Sequence, residues 1–172
     1  THTLSVANLD PNADPDITWD LEQTPYPVDD ASFNAVLAIN LLEHMWNWKE
    51  LLMEAHRILI PGGRIIITVP FIYAEHPSPR DFFRFTGDTC ARMLDEAGFE
   101  EVSVTALASG VFCARHSLLS PYLPTWLDVP LAILAQTMDR LFAVVARVLH
   151  KRYVLSEYPL GYLVIGTRPA HG

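Results

Sequence analysis

The chain has 172 residues, half of them hydrophobic, and a formal charge of −8. That length allows one respectable core, so a single domain over 1–172 is expected, and the acidic balance disfavours a nucleic-acid backbone as the main partner. Cys90 and Cys113 match no metal spacing or paired-thiol motif, Thr1 to Asp20 lacks the pattern of a secretory signal, and no apolar run reaches the roughly 18 uninterrupted residues of a membrane span. Reduced thiols and a cytoplasmic location are the corresponding expectations.

Leu4 to Leu9 reads as a weak strand running into the turn Asp10-Pro11-Asn12, and Asp16 to Trp19 as a second short strand ending at Asp20. Pro25 and Pro27 interrupt the chain before the acidic pair Asp29-Asp30. Ala35 to Ile39 and Arg64 to Val69 are short apolar runs rich in Val and Ile. Between them Leu51, Leu52, Ala55, Ile58 and Leu59 recur at helical spacing, and Pro61-Gly62-Gly63 forms a turn. Two parallel strands joined by a crossover helix account for this order, in a sheet covered by helices. Ligands of such sheets sit beyond the carboxyl ends of the strands, which directs attention to Asn40–Met45 and Phe71–Asp81.

Pro70 to Pro79 holds three prolines and is expected to be irregular. Thr86 or Asp88 can cap the next helix, with Cys90, Met93, Leu94 and Ala97 on its buried side and Gly98 as its stop. Phe99 to Leu107 reads as a strand. Leu118 to Pro130 is broken by three prolines, and a helix from about Leu131 to Leu149 follows. Its stripe of Leu131, Leu134, Met138, Leu141, Val145, Val148 and Leu149 faces away from Asp139, Arg140 and Arg147. Tyr158 to Ile165 closes the chain as a last apolar strand.

Several polar residues admit a plain reading. Glu43 and His44 suit a helix start, with Glu43 favoured by the macrodipole and His44 bonded locally. His44 and His76 are two metal-type ligands without a third in register, so no metal site is expected. Asp81 and Arg84, three apart, suit an ion pair that fixes the loop with His76 stacked on it.

The ordered pieces SFNAV, NLLEH, LMEAHRILIPGG, ITVPF, HPSPRDFFRFT, MLDEAGFEEV and YPLGYLVIGTRP, preceded by Asp20-Leu21, resemble the class I S-adenosylmethionine-dependent methyltransferases of the small-molecule type. Within that family they resemble a bacterial group marked by an HxxPxDxxRFT run. The resemblance implies an α/β, Rossmann-like, mostly parallel sheet with helices on both faces and an antiparallel last strand. It implies S-adenosylmethionine as cofactor and a small metabolite or glycan precursor as methyl acceptor. Family members open on a strand and a glycine-rich loop that approaches the cofactor, whereas all eight glycines here lie at or after Gly62. That first strand, central in the family's sheet, is expected to be missing and to leave unpaired edges or an apolar groove. The chain is then either a truncated form or a catalytically inactive, structural or regulatory relative.

Residue by residue, the resemblance assigns Asp20 and Leu21 to the adenine, Asn8 and Asp10 to the ribose, and Asn40, Leu41 and Leu42 to the loop under the methionine end. Turn-capping is the plain alternative at Asn8, Asp10 and Asp20. On the acceptor side stand His76 as a base, with Tyr73, Asp81, Arg84 and His116 as further substrate contacts. Residues 109–152 replace a short connection in the family and are expected to form a helical insertion or lid. A homodimer interface and a surface touching lipid-linked substrates, with His150-Lys151-Arg152 beside it, are the other uses open to that segment; core packing is the plainest.

Overall fold

The computed structural model describes residues 4–77, 79–151, 153 and 155–170. Arg152 of the basic end cluster and Ser78 of the HPSPRDFFRFT run lie outside the described residues.

The apolar run before Asn40 forms β3 (Phe33–Ile39), following two very short strands, β1 (Ala7–Asn8) and β2 (Ile17–Thr18). α1 (Trp48–Ile58) leads into β4 (Leu59–Pro70), α2 (Gly87–Glu96) into β5 (Glu100–Leu107), and β6 (Gly161–Thr167) closes the chain. β3 pairs parallel with β4, while β6 inserts antiparallel between β4 and β5. The four-stranded order is therefore β3-β4-β6-β5, and β1 and β2 form a separate parallel pair. This mixed sheet flanked by helices is the Rossmann-like arrangement expected.

The core follows from strand alternation and helical spacing. Ile65, Ile67 and Val69 of β4 and Val164 of β6 point to one face, where they meet Leu51, Leu52 and Ala55 of α1 and Cys90, Met93 and Leu94 of α2. Gly166 lets α2 come close, since a Cβ there would collide with Leu94 Cδ2 and Phe99 Cβ. Thr86 caps α2 as expected, its hydroxyl accepting from Thr89 N–H at 3.2 Å. Gly98, at φ +87, ends it. Both cysteines are buried free thiols, pushed up to about 11 by burial.

β3 is half-open. Leu37 and Ile39, on its other side, are 58% and 53% exposed, and an apolar groove of about 330 Å³ separates β3 from the β1–β2 pair. Val6, Ala7 and Ile17 line one wall, and Val36, Leu37 and Ala38 the other. An apolar groove at this place is what the sequence led us to expect.

The segment before β6 departs from expectation in three ways. A helix not foreseen, α3 (Val111–Leu119), comes first, and the long helix α4 starts at Thr125 rather than Leu131 and runs to Val148. Pro130 lies inside α4, in its second turn, where the ring removes one backbone bond without ending the helix. Asp139, expected on the polar side, is only 1% exposed, whereas Leu134, Leu141, Val145, Val148 and Leu149 of the expected buried stripe are exposed. The physical reason is that Asp139 caps α3 from across the helix pair. It accepts from Phe112 N–H at 3.0 Å and Cys113 N–H at 2.8 Å, and the Tyr153 hydroxyl donates to it. Although no uninterrupted apolar run exists, α4 is long and apolar enough to cross a membrane by length and composition alone. It also holds Asp128, Asp139, Arg140 and Arg147.

Candidate functional site

The strand ends place the polar loops together at one end of the sheet. After β3 the chain turns at Asn40, whose φ of +46 is tolerated by this residue type. Asn40 N–H donates to Thr68 C=O at 3.0 Å, and Thr68 Oγ1 donates to Asn40 Oδ1 at 2.9 Å, locking the ends of β3 and β4 together. A single 3₁₀ turn over Leu42–His44 follows. The proline-rich loop after β4 folds back onto it: Phe82 N–H donates to Glu43 C=O at 2.7 Å, and His44 Nδ1 donates to Arg80 C=O at 2.5 Å. His44 is thus not bonded locally but to a residue 36 positions away.

A cleft of about 870 Å³ opens between these loops and the β1–β2 pair. Asn8, Asp20, Leu21, Leu41, His44 and Trp46 line it, with Arg80 and Phe82 at the far wall. Trp46 stands edge-on to Phe82 at 5.4 Å and stacks on Phe83 at 5.7 Å, so one wall is aromatic. Glu22 ties the walls together, accepting from Trp46 N–H at 2.6 Å and Asn47 N–H at 3.2 Å.

The residues assigned to a cofactor divide into two groups. Asn8, Asp20, Leu21 and Leu41 reach the cleft. Asp10 forms a local turn, accepting from Asn12 N–H and Nδ2 at 2.9 and 2.8 Å; Asn40 is held by Thr68; and Leu42 is buried in the core at 1% exposure. Asp20 also caps its own turn, Oδ1 accepting from Glu22 N–H at 3.0 Å. One carboxylate with spare acceptor capacity, an Asn amide and an aromatic wall are the donor set and stacking surface that an adenosine moiety requires. The residues present on this side of the cleft fit such a group. Glycine is absent from them.

On the acceptor side, the pair inferred from Asp81 and Arg84 is present and bidentate, at 2.5 and 2.7 Å. The Arg84 guanidinium, ahead of the His76 N–H, holds the Asp81 carboxyl far below the usual carboxylate range. His76 is fixed by its own N–H to Asp81 Oδ2 at 3.0 Å, with its Nδ1 3.1 Å from Ala74 C=O. Tyr73 is exposed and edge-on to His76 at 5.1 Å. His116 stands elsewhere, paired with Asp128 of α4 at 3.1 Å.

Glu43 lies in the first turn of the 3₁₀ segment, in keeping with a helix-start residue. It is also completely buried, and neither carboxylate oxygen has a hydrogen-bond partner among the described residues. Burial pushes its carboxyl up, against the opposing pull of the backbone and of His44 and His76. The signal available in the sequence is an acidic residue between leucine and histidine, four residues after an apolar strand.

Residues 4–67 match a family model described as a methyltransferase domain. A demethylmenaquinone methyltransferase of Tropheryma whipplei is 27% identical, the match covering 61% of this chain and 56% of that protein. An O-methyltransferase of Aspergillus nomiae is 33% identical over 46% of this chain and 40% of its own length. The chain spans about half the length of the curated relatives it matches. Among solved structures, an S-adenosylmethionine-dependent methyltransferase from Archaeoglobus fulgidus superposes with a TM-score of 0.58 at 13% identity, covering 94% of this chain and 74% of that one. The [4+2]-cyclase SpnF superposes at 0.51 with 18% identity, covering 90% and 56%. The chain has an S-adenosylmethionine-dependent methyltransferase-like fold. That a cyclase shares the fold shows that the fold alone does not choose the reaction.

Proposed function

We propose that these residues are the larger part of an S-adenosylmethionine-dependent methyltransferase, of the group marked by the HxxPxDxxRFT run, acting on a small metabolite or glycan precursor. The observation that carries this reading is the cleft itself: Asn8, Asp20, Leu21 and Leu41 converge on it, where the loops after β3 and β4 meet the β1–β2 pair. Asp20 and the following backbone would hold the adenine, Asn8 the ribose, and Leu41 with the aromatic wall the apolar surface. The cofactor, when bound, supplies an electrophilic methyl group on a sulfonium.

The chain's own residues then have to align an acceptor and exclude water, because methyl transfer is an in-line displacement in which positioning carries most of the rate. The resemblance makes His76, held by Asp81 with Arg84 behind it, the candidate base for an acceptor hydroxyl or amine, a role open to it only while its Nε2 is free. Tyr73 offers an exposed ring beside it for a sugar or aromatic acceptor.

Two features support the view that the site is shared with residues beyond these: the chain's span of about half its curated relatives, and the open groove beside β3. The 172-residue chain alone is therefore expected to bind S-adenosylhomocysteine weakly, and a longer form that fills the groove to bind it well. Calorimetry on both forms tests this, and micromolar binding by the short chain would overturn the shared-site reading. In the longer form, Asp20→Ala is expected to weaken binding by about 1–3 kcal/mol; unchanged affinity would return Asp20 to turn-capping. The second reading, a non-catalytic methyltransferase-like module, is favoured by the lack of any glycine before Gly62. Methyl transfer by the longer form to any acceptor in a metabolite extract would exclude it.

A further inference from the structure

The completely buried Glu43 faces two histidines brought from different segments. Its Oε1 lies 3.8 Å from His44 Nε2 and 3.6 Å from His76 Nε2, and the three ligand atoms all fall within 4.8 Å of one another. The ring orientations decide what these atoms are. His44 Nδ1 faces the carbonyl of Arg80 at 2.5 Å, and His76 Nδ1 faces the carbonyl of Ala74 at 3.1 Å with Asp81 Oδ2 at 3.2 Å. A carbonyl only accepts, so both Nδ1 atoms carry hydrogen, and in the neutral rings the lone pairs sit on the Nε2 atoms that face Glu43.

With neutral rings and an ionised Glu43, three acceptors converge with no donor between them, an arrangement that a bound cation satisfies. A shared proton would draw each pair to about 2.7–2.9 Å. The observed 3.6 and 3.8 Å are longer. Zinc with bonds of about 2.0–2.1 Å in a tetrahedron holds its ligand atoms about 3.3–3.4 Å apart, close to the two observed separations. The outer contacts also fit, because metal-bound histidines donate their second ring N–H to a carbonyl or carboxylate.

We infer that Glu43, His44 and His76 form a binding site for a divalent transition-metal ion such as zinc. It is a two-histidine, one-carboxylate set that leaves one tetrahedral position open, at the margin of the cleft that His44 lines. The inference does not depend on methyl transfer and holds whether or not the protein proves to be an enzyme, but a metal on His76 Nε2 takes the lone pair a base needs, so the two roles of His76 exclude each other. It also replaces the sequence-based expectation of no metal site. The sequence offers no third ligand in register, because Glu43 is adjacent to His44 and the three residues meet only when the loop after β4 delivers His76.

The test is a titration of the 172-residue chain with zinc alone by calorimetry, and with cobalt(II) by visible absorption. One equivalent per chain is expected, with the intense bands of a four-coordinate cobalt site. Glu43→Gln and His76→Gln are each expected to weaken binding at least tenfold, whereas His150→Gln, at the exposed end of α4, leaves it unchanged. Should Glu43→Gln fail to fold, His76→Gln on the half-exposed loop still decides. A folded wild-type chain that takes up neither ion, or binding that survives His76→Gln, overturns the site.

Discussion

Asp139 shows how one side chain can hold two elements. Its carboxylate serves the N–H groups of Phe112 and Cys113, the second and third positions of α3, a task usually done by the residue just before a helix. That residue is Gly110, at φ +132, where any Cβ would run into the Asp139 carboxylate. Asp139→Ala strands two N–H groups and the Tyr153 hydroxyl, and a loss of about 1–3 kcal/mol is expected. Denaturant unfolding monitored by far-UV dichroism checks this, and a loss under about 0.5 kcal/mol would mean that water caps α3 instead. Arg57 is a comparable hub: it binds Glu54 through two nitrogens, Asp30 at 2.6 Å, and the carbonyls of Val28 and Tyr26. Nothing in the sequence distinguished either residue from ordinary surface charge, because their partners lie up to 31 positions away.

At the level of elements, local signals predict well where the partners are local. α2 is the clear case: Thr86, Gly98 and the spacing of Cys90, Met93 and Leu94 are all within one short window, and each does what its position implies. Thr86→Ala is expected to cost about 1 kcal/mol, read as a lower unfolding midpoint with an unchanged denaturant slope; a midpoint that does not move would show the cap to be redundant. α3 and α4 are the opposite case. α3 takes its cap from α4, and α4 passes through Pro130, so neither boundary is written locally. The stripe along α4 was legible, but which side would be buried was not, since the choice rests on Asp139 reaching α3. β1 and β2 shrank to two residues each because the strand pairing that would lengthen them is limited to one neighbour.

For the whole molecule, buried and paired carboxylates tie stability to pH. The hydrogen bonds from Arg57 hold Glu54 below the usual carboxylate range. Burial pushes Asp139 up, but Tyr153 and the α3 N–H groups outweigh it and leave Asp139 low. A carboxylate depressed in the folded state contributes stability that is complete above its unfolded value and is lost as pH falls through its folded one. These two carboxylates are therefore expected to cost stability as pH falls below about 4, while Glu43, pushed up by burial, acts in the opposite sense. Unfolding free energies between pH 7 and 3 check this, and Glu54→Gln with Asp139→Asn should flatten the slope. The order of strands, the crossover helix, the irregular loop after β4 and the resemblance to a methyltransferase were all determined by the sequence alone, because alternation, helical spacing, proline and glycine act over a few residues. Tertiary structure decided which polar residues meet. It buried Glu43 between two histidines and carried Asp10, Asn40 and Leu42 away from the cleft, since convergence depends on how loops distant in sequence fold onto one another.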